Sequence, residues 1–156
     1  MDEKKLLKYA VDYLSKYDSS KKNLLDILKR KIFRLKITGI EKNKLITILD
    51  NIIIKLEKNN FVNDSRYCFS KISSLSSHGK SKRFIFDYLI KKGVSKSEIE
   101  KNFTEFRLTN NDWELNSARL FAKKKKLFDS SSTYQKKLAK MARAGFNYEI
   151  CKKILG

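Results

Sequence analysis

The chain has 156 residues, enough for one ordinary core or a short row of small modules, and carries 36 Lys and Arg against 17 Asp and Glu, a net charge of +19. No run of about 18 apolar residues occurs, which excludes a membrane-spanning helix, and Cys68 and Cys151 lack metal-ligand spacing, so buried reduced thiols are expected. The charge points to a polyanionic partner, nucleic acid first, although a lysine-, isoleucine- and asparagine-rich chain without proline also suits drift towards A- and T-rich codons.

In chain order, Leu6, Leu7, Ala10, Val11 and Leu14 form one helical stripe, broken at Asp18-Ser19-Ser20, where Ser19 or Ser20 is the expected cap. A second helix carries Leu25, Leu28, Ile32 and Leu35. After Thr38-Gly39-Ile40 the spacing predicts one helix through Leu45, Leu49, Ile52, Ile53 and Leu56, ended by Asn59-Asn60-Phe61. Asp64 reads as the N-cap or first-turn acid of a helix with Cys68, Ile72 and Leu75 inward. Ser76 to Ser81 is a polar break, and Phe84, Ile85, Tyr88 and Leu89 make the next inward stripe. Ser95-Lys96-Ser97-Glu98 has capping-box spacing, with Glu98 placed to bond back to the Ser95 amide, ahead of a helix facing inward with Ile99, Phe103 and Phe106. Leu108 to Asp112 reads as a linker. Ala118, Phe121 and Ala122 then point inward up to Leu127-Phe128, followed by a break at Asp129 to Ser132. Helices with Tyr134, Leu138, Met141 and Ala142, and from Tyr148 to Leu155, complete the chain.

Two junctions repeat. Gly93-Val94-Ser95 and Gly145-Phe146-Asn147 each place a glycine able to go left-handed, an apolar residue that packs back, and a side chain that caps the next helix. No segment alternates with period two. The expected fold is therefore all-α, with tandem three-helix, helix-turn-helix-like modules at residues 1–60, 61–108 and 109–156 stacked in an elongated array.

Catalytic constellations are missing. His78 stands in a Ser/Gly/Lys loop without a cysteine or carboxylate at ligand or triad spacing, and Gly79-Lys80-Ser81 has no glycine-rich approach to make a phosphate loop. No enzyme activity, metal or cofactor is expected. The binding candidates are three basic clusters: Lys80, Lys82 and Arg83 at a loop-to-helix junction; Arg119, Lys123, Lys124 and Lys126; and Lys136, Lys137, Lys140 and Arg143 on the outer side of the next helix. Four successive lysines, Lys123 to Lys126, fan around a helix, so at most two face one partner. Only seven basic residues are arginine, and lysine serves as a point charge near phosphate, whereas forked guanine reading needs arginine. Trp113 and Tyr134, at helix starts, are the two aromatic residues to test as base-stacking platforms.

These residues resemble the RecX family, regulators of the bacterial recombinase RecA. The similarity runs through Phe61-Val62-Asn63-Asp64-Ser65-Arg66-Tyr67-Cys68, Gly79-Lys80, Ile85 to Ser95, and Ala142 to Ile150. The chain departs from the family pattern with Asn63 for the first acid, Cys68 for a small residue, and no Lys-Gly-Phe ending in the first module's middle helix. The resemblance implies a repeated three-helix protein that lies in the groove of a RecA filament, caps or destabilises it, and binds DNA weakly. Expected partners are thus the RecA filament and single-stranded DNA or nucleoprotein, without a membrane, for a cytoplasmic monomer. The other reading of the residues is a non-sequence-specific helical DNA-binding protein without a recombinase partner.

Overall fold

The computed structural model describes residues 1–129 and 131–156. Its regular structure is ten helical segments: α1 (Glu3–Lys16), α2 (Lys21–Phe33), α3 (Gly39–Thr47), α4 (Leu49–Lys58), α5 (Asp64–Ser77), α6 (Lys82–Lys91), α7 (Lys96–Thr109), α8 (Trp113–Lys124), α9 (Tyr134–Arg143) and α10 (Tyr148–Leu155). No strand forms among the described residues, so the all-α expectation holds. The chain divides into two compact units, residues 1–67 with 92–94, and residues 68–91 with 95–156.

In the first unit, Leu6 and Ala10 of α1, Leu24, Leu28 and Ile32 of α2, and Leu49, Ile52 and Leu56 of α4 close one core, completed by Val62. Each fully buried Leu or Ile contributes about 1.5–3 kcal/mol relative to exposure. The stripe of α2 differs from the expected one. Leu24, Leu28 and Ile32, four apart, take the buried line, Leu25 is half-buried beside it, and Leu35 lies beyond the helix end. The single helix expected over residues 40–58 is broken at Ile48, whose amide bonds the Leu45 carbonyl three residues back, and α4 restarts from Ile48 without a side-chain cap.

In the second unit, Ala118, Ala122 and Leu127 pack with Met141, Phe146, Cys151 and Ile154, so α8, α9 and α10 share a core. A separate aromatic group locks the start of α8. The Trp113 ring stacks on Phe103 (centroids 5.7 Å apart, planes 9° apart) and meets Phe106 edge-on. Ser76 and Ser77 extend α5 into the expected polar break, and α7 runs to Thr109, shortening the linker. Of the break expected at Asp129 to Ser132, Ser130 lies outside the described residues.

Most helix starts, though not those of α4 and α8, carry a side-chain cap. Asp2, Ser20, Thr38, Ser95, Thr133 and Asn147 each accept the amide three residues on. Asn63 does the same for α5 through the Arg66 amide at 2.9 Å, which leaves Asp64 as the first-turn acid. Several helices stop on left-handed residues: Asn60 (φ 59°), Gly79 (81°), Gly93 (80°), Lys126 (57°) and Gly145 (100°). After α4, α5, α8 and α9 the following amide reaches back to a carbonyl of the last turn, as Leu127 does to Ala122 at 2.9 Å.

One three-part junction occurs twice. Ser20 accepts the Asn23 amide at 3.1 Å while its own hydroxyl donates to the Lys92 carbonyl, one residue before Gly93. The next amide, Lys21, donates to the Asp64 carboxylate at 2.8 Å. Ser81 likewise accepts the Phe84 amide at 3.1 Å and donates to the Ala144 carbonyl at 2.7 Å, one residue before Gly145. Lys82, the next residue, donates its amide to Glu114 at 2.8 Å. In both copies a serine-lysine pair opens a helix, a first-turn acid from a later helix covers its amide end, and a glycine lets the chain pass. A Cβ on Gly93 would overlap the Lys22 side chain, and one on Gly145 would overlap the Ser81 hydroxyl.

Candidate nucleic-acid interface

All eleven basic residues singled out in the sequence belong to the second unit. Lys82, Arg83, Arg119, Lys123, Lys124, Lys126, Lys136, Lys140 and Arg143 are exposed, whereas Lys80 and Lys137 are half-buried. Among the described residues the ion pairs seen, Lys21–Glu57 and Lys55–Glu3, involve none of the eleven. Their charges are therefore available to an external anion, at distances set by solvent screening.

The segment from His78 to Arg83 joins the clusters. A Cβ on Gly79 would lie 3.2 Å from the Phe121 amide nitrogen, which shows how closely this turn lies on α8. Ser117 Oγ donates to the Lys80 carbonyl at 2.6 Å, and Lys124 Nζ donates to the His78 carbonyl at 3.3 Å. On its other side the segment meets the end of α9 through Ser81 and Ala144, with the Arg83 Cβ beside Gly145. Lys80, Lys82 and Arg83 are thus held between the basic end of α8 and Arg143. On α9, Lys136, Lys140 and Arg143 follow four- and three-residue steps along one face. Local contacts orient some side chains: Lys80 Nζ sits 4.6 Å over the Phe84 ring, Lys82 Nζ 5.3 Å over Phe103, and Arg119 donates to the Asn116 side chain at 3.2 Å. Phe84, expected inward, is accordingly exposed under Lys80, while Ile85 and Leu89 hold the core.

Two basic residues that the sequence reading missed also border this region. Arg107 and Lys82 line a cleft of about 310 Å³ against Phe86, Phe103 and Trp113. A neighbouring cleft of about 250 Å³ adds Lys153. Arg107 is an isolated cation in sequence and Lys153 belongs to the short Lys152-Lys153 pair near the end of the chain, and only the fold sets them beside Lys82. The platform role considered for Trp113 does not survive: the residue is 8 % exposed and one face of its ring is covered by Phe103. Tyr134, at 42 % exposed, keeps an open ring at the start of α9.

His78 is exposed, with Nδ1 2.6 Å from the Ser74 carbonyl oxygen. Among the described residues no three His, Cys, Asp or Glu side chains gather where they could hold a metal ion. No described helix is long and apolar enough to cross a membrane. Burial pushes the Cys151 thiol above its ordinary range, against a weaker hydrogen-bonding influence.

No protein-family model matches the chain. A curated relative, the regulatory protein RecX of Myxococcus xanthus, is 31 % identical over 154 residues, covering 94 % of this chain and 81 % of the relative. A crystal structure of RecX from Lactobacillus salivarius superposes with a TM-score of 0.71 at 24 % identity, over 97 % of this chain and 93 % of that one. A second crystal structure, of a regulatory protein RecX, gives a TM-score of 0.71 at 19 % identity over 96 % of this chain and 70 % of the other. The two crystal structures share the fold, and the extent and identity of the Myxococcus match fix the lineage: this chain belongs to the RecX family of regulatory proteins.

Proposed function

We propose that this protein regulates, and in effect inhibits, filaments of a RecA-type recombinase, binding along the groove of the nucleoprotein filament and so limiting homologous recombination and DNA repair. The observation that carries the reading is the set of basic side chains gathered around residues 78–83, exposed or half-buried and free of ion pairs among the described residues. A polyanion lined by protein is the partner such a surface fits. Low arginine content favours contact with the phosphate backbone over base reading. The protein acts by binding and without catalysis, as a cytoplasmic monomer. Its repeats are residues 1–60, 61–108 and 109–156, a division supported by the two copies of the serine, acid and glycine junction.

Inhibition of DNA-dependent ATP hydrolysis by the cognate recombinase, at amounts well below one per protomer, tests the role. Loss of hydrolysis together with co-sedimentation on filaments is expected, and no effect at any ratio overturns it. Binding to bare DNA without any effect on the recombinase would instead establish the second reading, a general helical DNA-binding protein, which the net charge of +19 also favours.

A further inference from the structure

Lys126 occupies a backbone conformation that most L-residues avoid. Its φ is 57°, in the left-handed region, where the Cβ crowds the following carbonyl. At the other left-handed helix stops the chain uses Gly79, Gly93, Gly145 or Asn60, residue types that tolerate the turn. The strain at Lys126 is pinned on both sides: its amide bonds the Lys123 carbonyl at 3.1 Å, its carbonyl accepts from Asp129, and Leu127, only 1 % exposed, anchors the chain immediately after it. The lysine itself is exposed and unpaired among the described residues, so no contact within the protein accounts for keeping it there. Strained backbone of this kind is concentrated at functional sites, where a cost in stability is tolerated.

The turn also changes where the charge points. Lys123, Lys124 and Lys125 leave the backbone in right-handed geometry, spread around the end of α8, and Lys124 is already directed to the His78 carbonyl. Reversal at Lys126 takes its Cβ off that fan, in a direction fixed by the backbone and unavailable to a helical residue. We infer that Lys126 is a preset phosphate contact: a lysine held left-handed at the end of α8 so that its ammonium meets the backbone of single-stranded DNA, at the expense of fold stability. This rests on the nucleic-acid reading above, in which Lys126 is one of eleven candidate cations, and adds to it a preset backbone geometry and a trade-off against stability.

The test uses the full chain and a fluorescent oligo(dT). Lys126→Gly should raise the melting temperature by about 2–4 °C through release of the strained turn. The same variant should bind oligo(dT) roughly eight-fold more weakly at roughly 50 mM salt, with the slope of log affinity against log salt reduced by about 0.7. Lys125→Gly removes the same charge from a right-handed position and should lower the melting temperature. An unchanged or lower melting temperature for Lys126→Gly overturns the strain, and wild-type oligo(dT) affinity overturns the contact. Weakened binding to recombinase–DNA filaments with normal oligo(dT) binding would assign the lysine to a protein carboxylate and also overturn the inference. In the same assay, replacement of Lys123, Lys124, Lys136 and Lys140 by Glu separates the two levels. If that variant loses binding while Lys126→Gly keeps it, only the Lys126 assignment fails; if both keep it, the nucleic-acid reading fails too.

Discussion

Gly145 has less freedom to change than its small size implies. A Cβ there would press on Ser81 Oγ, and that hydroxyl is tied to both the Ala144 carbonyl and the Phe84 amide, so it has no route of retreat. Gly145→Ala should therefore destabilise by about 2 kcal/mol, the sum of left-handed strain and a damaged cap, seen as a lower denaturant midpoint at constant slope. Gly93→Val combines φ of 80° with overlap against Lys22 and should cost on the order of 1 kcal/mol or more; an unchanged melting temperature would contradict the geometry. Both glycines were readable as helix stops in the sequence, but the side chains that forbid a Cβ come from tens of residues away and leave no local trace. Cys151 illustrates burial in a different way. Its thiol is 0 % exposed and its pKa is raised by desolvation, so the folded state keeps the proton that the unfolded chain loses near the ordinary value of 9.0. That contribution is complete below this pH and is lost as pH rises through the higher folded value. A thiol reagent near neutral pH should leave Cys68 and Cys151 unmodified until denaturant is added.

At the level of helices, most of the pattern was local and most of the joinery was not. The stripes of α1, α7 and α10 follow from three- and four-residue spacing, and the caps Ser20, Ser95 and Asn147 from residue type. The break at Ile48 escaped because apolar spacing continues across it: Leu45, Leu49 and Ile52 read as one face whether or not the backbone turns. In α2, two adjacent leucines offered alternative registers, and packing in the first unit chose Leu24 over Leu25. The partnership of Ser81 and Lys82 with Glu114, 32 residues from Lys82, and with Ala144, 63 residues from Ser81, could not be read locally at all. Ser81→Ala removes an accepted amide and strands a carbonyl, so a loss of roughly 1–3 kcal/mol is expected, against a few tenths for an exposed serine such as Ser97. Combining it with Glu114→Ala should give a coupling of at least about 0.5 kcal/mol, because both groups serve the first turn of α6. Additive losses would show that the two ties act separately.

For the molecule as a whole, charge dominates. The composition was enough to expect an anionic partner, yet it could not say which of 36 cations matter. The fold brings residues 78–83 to the ends of α8 and α9 and sets Arg107 and Lys153 near Lys82, and the proposed interface is drawn from that grouping. A net charge of +19 also repels itself. Raising salt from roughly 50 to roughly 500 mM should increase the melting temperature of the free protein by a few degrees while weakening the DNA binding proposed above, two responses of opposite sign from one cause. A melting temperature that falls with salt would mean that exposed ion pairs such as Lys21–Glu57 outweigh the repulsion. The doubled serine, acid and glycine linkage has a genealogical consequence. Since every copy asks only for one hydroxyl, one carboxylate and one residue free to bend the wrong way, a coding segment that is copied in tandem arrives with its own fittings, and descendants of such a gene can lengthen or shorten by whole paragraphs of sequence without inventing a new seam.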